Sequence, residues 1–352
     1  MLVKRFCTPL AILAALAGPV VAQPTFIPPT ELAAASSPKA LFAPLNALAL
    51  AGGRMVAAGQ RGHILYSDDG KAWQQAQVPV SSDLTALAFP SAQHGWAVGH
   101  EGVILHTTDG GATWSKQLDG RQIAELVSKR YGAPANAGDA EAQRLQQEAE
   151  GLAAQGADKP LLDVWFEDEL KGFAIGAFNL ILRTEDGGKS WTPWLDRIDN
   201  PRGMHLYGIR PAGGSLFIVG EQGLVLKLDA AGQRFQQQHL PYEGTLFGLV
   251  GNAEMVLVYG LRGNAYRSVD GGANWSKVET QVRAGLTAGI ALDDGSIVLV
   301  SQAGHILRSQ DQGANFLPIK PSRVAANFAV APAAGGAVAL AGVGGVRVEN
   351  LQ

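Results

Sequence analysis

The sequence predicts an all-β fold: a seven-bladed β-propeller of four-stranded antiparallel blades. Three observations carry that expectation. First, a short apolar strand, a tight turn and a second apolar strand recur seven times. The turns begin at Gly59, Gly99, Gly176, Gly220, Gly260, Ser301 and Gly342, with spacings of 40, 77, 44, 40, 41 and 41 residues. A strand-rich period near 40 residues is the mark of a propeller blade. Second, a polar turn of the form Thr107-Thr108-Asp109-Gly110-Gly111-Ala112-Thr113-Trp114 follows the third strand of most units. Third, the chain holds 44 glycines, spaced along its length. Many tight hairpin turns need residues that accept positive φ.

The elements follow in order within each unit. In the second unit an inner strand covers 84–89, a second strand 96–98 and a third 103–106, and the last begins at Trp114. The Asp-Gly-Gly turn reads as a lock. Its carboxylate accepts backbone amides of its own loop, and its aromatic folds under the hairpin as an apolar cover. The locking pairs are Asp68 with Trp73, Asp109 with Trp114, Asp186 with Trp191, Asp270 with Trp275, and Asp311 with Phe316. The fourth unit keeps only Asp229, Gly232 and Phe235. One carboxylate per loop is too few ligands for calcium.

Both ends depart from the repeat. The seventh unit has three strands before the chain stops, so residues 24–37 are expected to supply its outer strand and close the ring. Before them, Lys4 and Arg5, an apolar run over 6–16 and the small residues Val20-Val21-Ala22 read as a signal peptide over 1–22. The propeller then occupies 23–352. The only cysteine, Cys7, falls in the leader, so the mature chain has no disulfide or thiolate chemistry. A disulfide-free exported protein suits a bacterial periplasm.

The spacing of 77 is one period plus an insertion, at 119–159 between blades 2 and 3. Its composition turns to Ala, Gln, Glu and Arg. Ile123, Leu126 and Val127 fit one helix. Asp139 can cap a second helix bearing Leu145, Ala149 and Leu152. A helical hairpin is expected, although so polar a stretch would also suit an unstructured loop. Blade topology puts the insertion on the face of the Gly-x-x-Gly turns, with the Asp-Gly-Gly turns opposite. Arg61, His100, Glu101, Arg202, Glu221 and Arg262 share the insertion's face.

The tandem Ser/Thr-x-Asp-Gly-Gly-x-x-Trp turns resemble the Asp-box, or bacterial-neuraminidase (BNR), repeat. With Ala-Val-Gly-x-x-Gly-x-Ile-Leu-x-Thr before them, as at 97–107, they are most similar to the photosystem II stability/assembly factor family of seven-bladed propellers. That resemblance implies an exported, non-enzymatic accessory or assembly factor for membrane protein complexes, or an accessory to envelope transport. It implies no cofactor and protein partners only. The insertion and the degraded fourth turn depart from the family pattern.

Other chemistries find less support. A sialidase-like glycoside hydrolase is the alternative, needing an arginine cluster and two carboxylates near the axis. Arg61, Arg202, Arg210, Arg262 and Arg283 are available, with Asp163 at the start of an inner strand. The inner strands are otherwise mostly apolar. The seven histidines lack ligand spacing on one helix, so no metal site is expected. Twenty-eight basic and 31 acidic side chains give a net charge of −3, which offers nucleic acid no global attraction. Binding through the insertion-bearing face is therefore the expectation, since propeller function concentrates in loops.

Overall fold

The computed structural model describes residues 26–136, 138–156 and 158–351. The proposed leader lies outside them. Seven antiparallel sheets form a ring, at 45–75, 84–118, 161–193, 206–237, 246–278, 286–319 and 327–349. Six have four strands in simple up-and-down order, and the seventh has three. Each inner strand lies beside the inner strands of its neighbours, and that of blade 1 packs on blade 7.

The second strand of each blade is its apolar centre. Ile297–Ser301 and Val256–Gly260 are buried at every position, as expected for strands covered on both faces. In blades 1, 2 and 3 the turn after the second strand needs glycine for space, whereas blade 6 has Ser301 at this position. At Gly59, Gly99 and Gly176 an added Cβ would fall 2.2–2.3 Å from the carbonyl of the residue preceding the inner strand.

The insertion is a helical hairpin, as its periodicity indicates. Helix α1 spans Gly120–Tyr131 and α2 spans Ala140–Gln155. Asp119 caps α1 in a reciprocal box with Gln122, and Asp139 caps α2. Ile123, Val127, Leu145 and Ala149 are buried together with Trp96, Ile104 and Leu161 of blades 2 and 3. Burial of a side chain such as Ile123 contributes about 1.5–3 kcal/mol, so packing on the ring, more than propensity, holds the hairpin.

The expected closure by an N-terminal strand is not what forms. Blade 7 keeps three strands, and residues 26–39 contain none. Pro28, Pro29 and Pro38 remove amides that a ladder would need. The segment instead runs along the outer edge of blade 1. Ala34 donates to the Val78 carbonyl at 3.0 Å, and Ser81 to that of Pro29 at 2.8 Å. Gln75 bonds Ala35 and Ser37. At blade 7, Ser322 donates to Glu349 of the third strand (2.7 and 2.9 Å), and Arg308 of blade 6 donates to the Leu351 carbonyl (3.2 Å). Packing of Leu45 and Ala57 with Ala329 and Ala341 closes the ring.

Candidate docking face

The polar turns settle first, because they identify the face that is structural. In the second blade the Asp109 carboxylate accepts the Ala112 and Thr113 amides, both at 3.0 Å, and the hydroxyls of Thr107 and Thr113. The Trp114 indole donates to the Gly111 carbonyl at 3.0 Å. Asp186, Asp270 and Asp311 accept equivalent bonds, so these residues lock turns. The first turn corrects the sequence assignment. Asp69, not Asp68, accepts from Ser67, Lys71 and Ala72. Asp68 pairs with Arg54, at 2.7 and 3.2 Å. This turn is one residue shorter than the others, and two adjacent carboxylates offered the choice.

The opposite face carries the insertion. Helix α1 rests on the His100–Gly102 turn, where an added Cβ on Gly102 would come 2.9 Å from the Gly120 Cα. The middle residues of the turns take positive φ, at Arg61 (57°), Glu101 (54°), Phe178 (55°), Gln222 (52°) and Arg262 (57°). Arg61, Phe178, Gln222 and Arg262 are exposed there, whereas Glu101 is half-buried. Arg61, His100 and Arg262 are exposed, and among the described residues their side chains make no hydrogen bond or ion pair. Arg202 donates to Gln222 at 2.7 Å, and Glu221 holds the amide and ring of His205 at 2.9 and 3.2 Å. The structure thus gathers Arg202, Glu221 and His205 at blade 4. Arg61, His100, Glu101 and Arg262 stand separately on other blades.

An aromatic run on this face was not foreseen. Phe178, His205, Tyr207 and Phe247 follow one another with ring centroids 4.4, 6.2 and 5.8 Å apart. Lys159 of the insertion's trailing arm sits 4.6 Å over Phe178. Phe178 is 55% exposed, a large apolar surface for a turn residue. The physical device is a bulge. In all seven inner strands the register slips at the second residue: Asn46, Thr85, Leu162, Tyr207, Phe247, Thr287 and Phe328. A bulge re-aims its side chain, and all seven line one end of the central channel. Their shared place after the first inner-strand residue is the signal that could have found them.

The channel encloses about 200 Å³ beneath this ring. Asp163 and Arg210, on the neighbouring inner strands of blades 3 and 4, line it as an ion pair of 2.6 Å, and Asp163 also accepts the Ile209 amide at 2.8 Å. Burial draws Arg210 down, but the Asp163 carboxylate outweighs it and leaves the guanidinium above its ordinary value. Of the five arginines considered for a hydrolase, only Arg210 lines the channel. Its carboxylate partner is already Asp163, so the arginine cluster of a sialidase does not form there. Among the described residues no group of three metal-ligating side chains occurs, and no helix is long and apolar enough to cross a membrane.

Comparison with known proteins agrees with this architecture. A family model described as photosynthesis system II assembly factor YCF48 matches residues 65–131 and 146–326. Photosystem II assembly protein Ycf48 of Synechococcus sp. (strain JA-3-3Ab) is 25% identical over 287 residues, covering 73% of this chain and 81% of that protein. Photosystem II assembly lipoprotein Ycf48 of Synechococcus sp. (strain CC9902) is 28% identical over 156 residues, 43% of this chain and 46% of its own length. This chain therefore spans about half of that relative. The relatives so named are assembly proteins. Among solved structures, YCF48 bound to D1 peptide superposes with a TM-score of 0.63 at 15% identity, covering 89% of this chain and 94% of the other. YCF48 from Cyanidioschyzon merolae gives 0.62 at 15%, covering 89% and 96%. The structural likeness shows the fold, and the family model matches well over half of the sequence: the chain belongs to the photosynthesis system II assembly factor YCF48 family.

Proposed function

We propose that the protein is an exported, non-enzymatic assembly or accessory factor that docks a membrane protein or envelope complex on its insertion-bearing face. The observation that carries this reading is the run Phe178–His205–Tyr207–Phe247. Partly exposed aromatics on a face that also carries arginines are the composition of protein-recognition surfaces. The family supports it, since its named members are assembly factors and one has been solved with a D1 peptide bound. The basic start and apolar run at the N-terminus support export, and the charged turns leave Arg61 and Arg262 available to steer an acidic partner loop.

The test uses the chain expressed with its own leader. Residues 120–156 are deleted in one variant. A second carries Phe178→Ala with Arg61→Glu and Arg262→Glu. Cell fractions and proteins co-purifying from detergent-solubilised membranes are compared with the parent. Loss of the membrane partner from both variants, each still folded by circular dichroism, is the expected outcome. An unchanged set of partners would show that this face is not the docking face.

A further inference from the structure

The seams between blades, on the face of the Asp-box turns, share one construction. Each regular Asp-box plugs the groove against the preceding blade. The carbonyl after its aspartate is taken by a donor from that blade: Gly110 by Arg54 (3.4 Å), Gly187 by Gln117 (2.9 Å), Gly271 by Lys227 (2.8 Å) and Gln312 by Arg267 (2.7 Å). The next glycine closes the packing. An added Cβ would lie 3.2 Å from Val56 at Gly111, 3.0 Å from Phe217 at Gly272 and 3.6 Å from Leu257 at Gly313, each a residue of the preceding blade.

The seam between blades 3 and 4 lacks this plug. In the degraded fourth turn, Leu228 stands where the others have Ser or Thr, Ala230 where they have Asp, and Ala231 where the first glycine or Gln312 falls. The turn folds on itself. Gly232 donates to the Asp229 carbonyl at 2.9 Å, and the Ala231 carbonyl accepts only from Gln233 of the same turn, at 3.3 Å. A Cβ on Gly232 would meet nothing within 4 Å. A cavity of about 810 Å³ opens in its place, walled by Trp165, Phe173, Leu216 and Leu228, with Lys171 and Arg183 among its polar groups. Arg183 occupies the strand position that Lys227 and Arg267 hold in blades 4 and 5. With no turn carbonyl to bind, it pairs with Glu185 at 2.9 Å and stacks 4.6 Å over Trp194.

We propose that this open seam is a docking site for a glycine-containing β-turn of a partner protein, which enters as the missing plug. The recognition chemistry is what the other seams use. A turn carbonyl, the negative end of a peptide dipole, meets the Arg183 guanidinium, and a small, side-chain-free stretch of backbone lies on Phe173 and Leu216. Charge complementarity favours this occupant, because a cation or amide in the same role binds a turn carbonyl at every regular seam. A groove of this size, with aromatic walls and a few placed polar groups, is suited to burying such a segment. The site lies on the face opposite the insertion, so it stands or falls independently of the docking face proposed above.

The probe is a backbone-cyclised hairpin peptide of residues 265–278, which carries the regular turn of blade 5. Binding to the folded propeller is followed by calorimetry and by the nuclear magnetic resonance shift of the Trp165 indole proton. Two variants accompany it. Leu228→Ser with Ala230→Asp and Ala231→Gly rebuilds the plug in cis. Arg183→Gln removes the charged donor and leaves the rest of the wall. The expected result is saturable binding with a Trp165 shift, abolished in the rebuilt variant and weakened about tenfold or more in Arg183→Gln. Absence of binding to the parent would overturn the proposal. Equal binding to a folded rebuilt variant would do the same, and if that variant does not fold, equal binding to Arg183→Gln decides. A concentration-dependent dimer lost on rebuilding, with no peptide binding, would overturn it in favour of a second copy as occupant.

Discussion

A single carboxylate decides how each hairpin turn is held, and the first blade shows how local that decision is. Asp69 accepts two amides and the Ser67 hydroxyl, whereas Asp68 meets Arg54 at the surface. Removing a multiply bonded acceptor costs about 1–2 kcal/mol, and an exposed ion pair contributes about 0–1 kcal/mol. Asp69→Ala is therefore expected to lower the urea midpoint of unfolding, and Asp68→Ala to lower it less. The same carboxylates predict an acid limb. Asp270 is held down to about 2 by the backbone and side-chain amides of Asn274, and Asp311 to about 2 by those of Asn315. An unfolded Asp titrates near 3.9, so these turns contribute stability above roughly pH 4 that is lost as the pH falls toward 2. Both groups are solvated, which keeps the effect modest. Asp270→Asn with Asp311→Asn should flatten the fall in Tm between roughly pH 4 and pH 2. An acid limb of unchanged slope would assign it to other carboxylates.

At the scale of elements, legibility followed the range of the interaction. Turn locks, strand order and the capped helical hairpin were readable because their chemistry closes within a few residues, as Asp119 and Gln122 or Thr107 and Asp109 do. The aromatic run was not readable. It depends on a bulge in each inner strand and on Phe178, His205, Tyr207 and Phe247 meeting across blades. The seat of the insertion depends on such a non-local approach too, and it yields a prediction. Gly102 combines a φ of 65° with a backbone only 2.9 Å from its would-be Cβ. Gly102→Ala should cost about 1–2 kcal/mol from the left-handed conformation alone, and more from pushing α1 away. Gly53, with nothing near its Cβ and no positive φ, is the control: Gly53→Ala should be close to neutral. In hydrogen exchange, Gly102→Ala should loosen α1 while the inner strands stay protected.

At the scale of the whole molecule, the question is what keeps a ring closed when its last blade lacks an outer strand. Counting strands suggests that the N-terminal segment completes blade 7, but that segment is tied to blade 1 and to the insertion. Glu31 pairs with Arg121 of α1, and Lys116 donates to the Thr30 carbonyl at 3.0 Å. His63 lies 3.2 Å from the Ala35 carbonyl. The segment is thus a strap across blades 1 and 2 that steadies the base of the insertion. Closure itself rests on apolar packing between the inner strands of blades 1 and 7. Deleting residues 26–37 separates the two roles. The strap's hydrogen bonds are mostly half-exposed, so the loss of stability should be about 2–4 kcal/mol, from several bonds of about 1 kcal/mol each. Hydrogen exchange should show faster exchange at 75–80 and in the first turn of α1, with the third strand of blade 7, Gly345–Glu349, unchanged. If the blade 7 strand loosened first, the segment would be acting as the ring's fastener. The expected pattern instead couples the N-terminal segment to the proposed docking face, because the strap and α1 share the Glu31–Arg121 pair. Its deletion should then weaken partner binding on the insertion side, and leave the blade 3–4 seam, on the opposite face, unaffected.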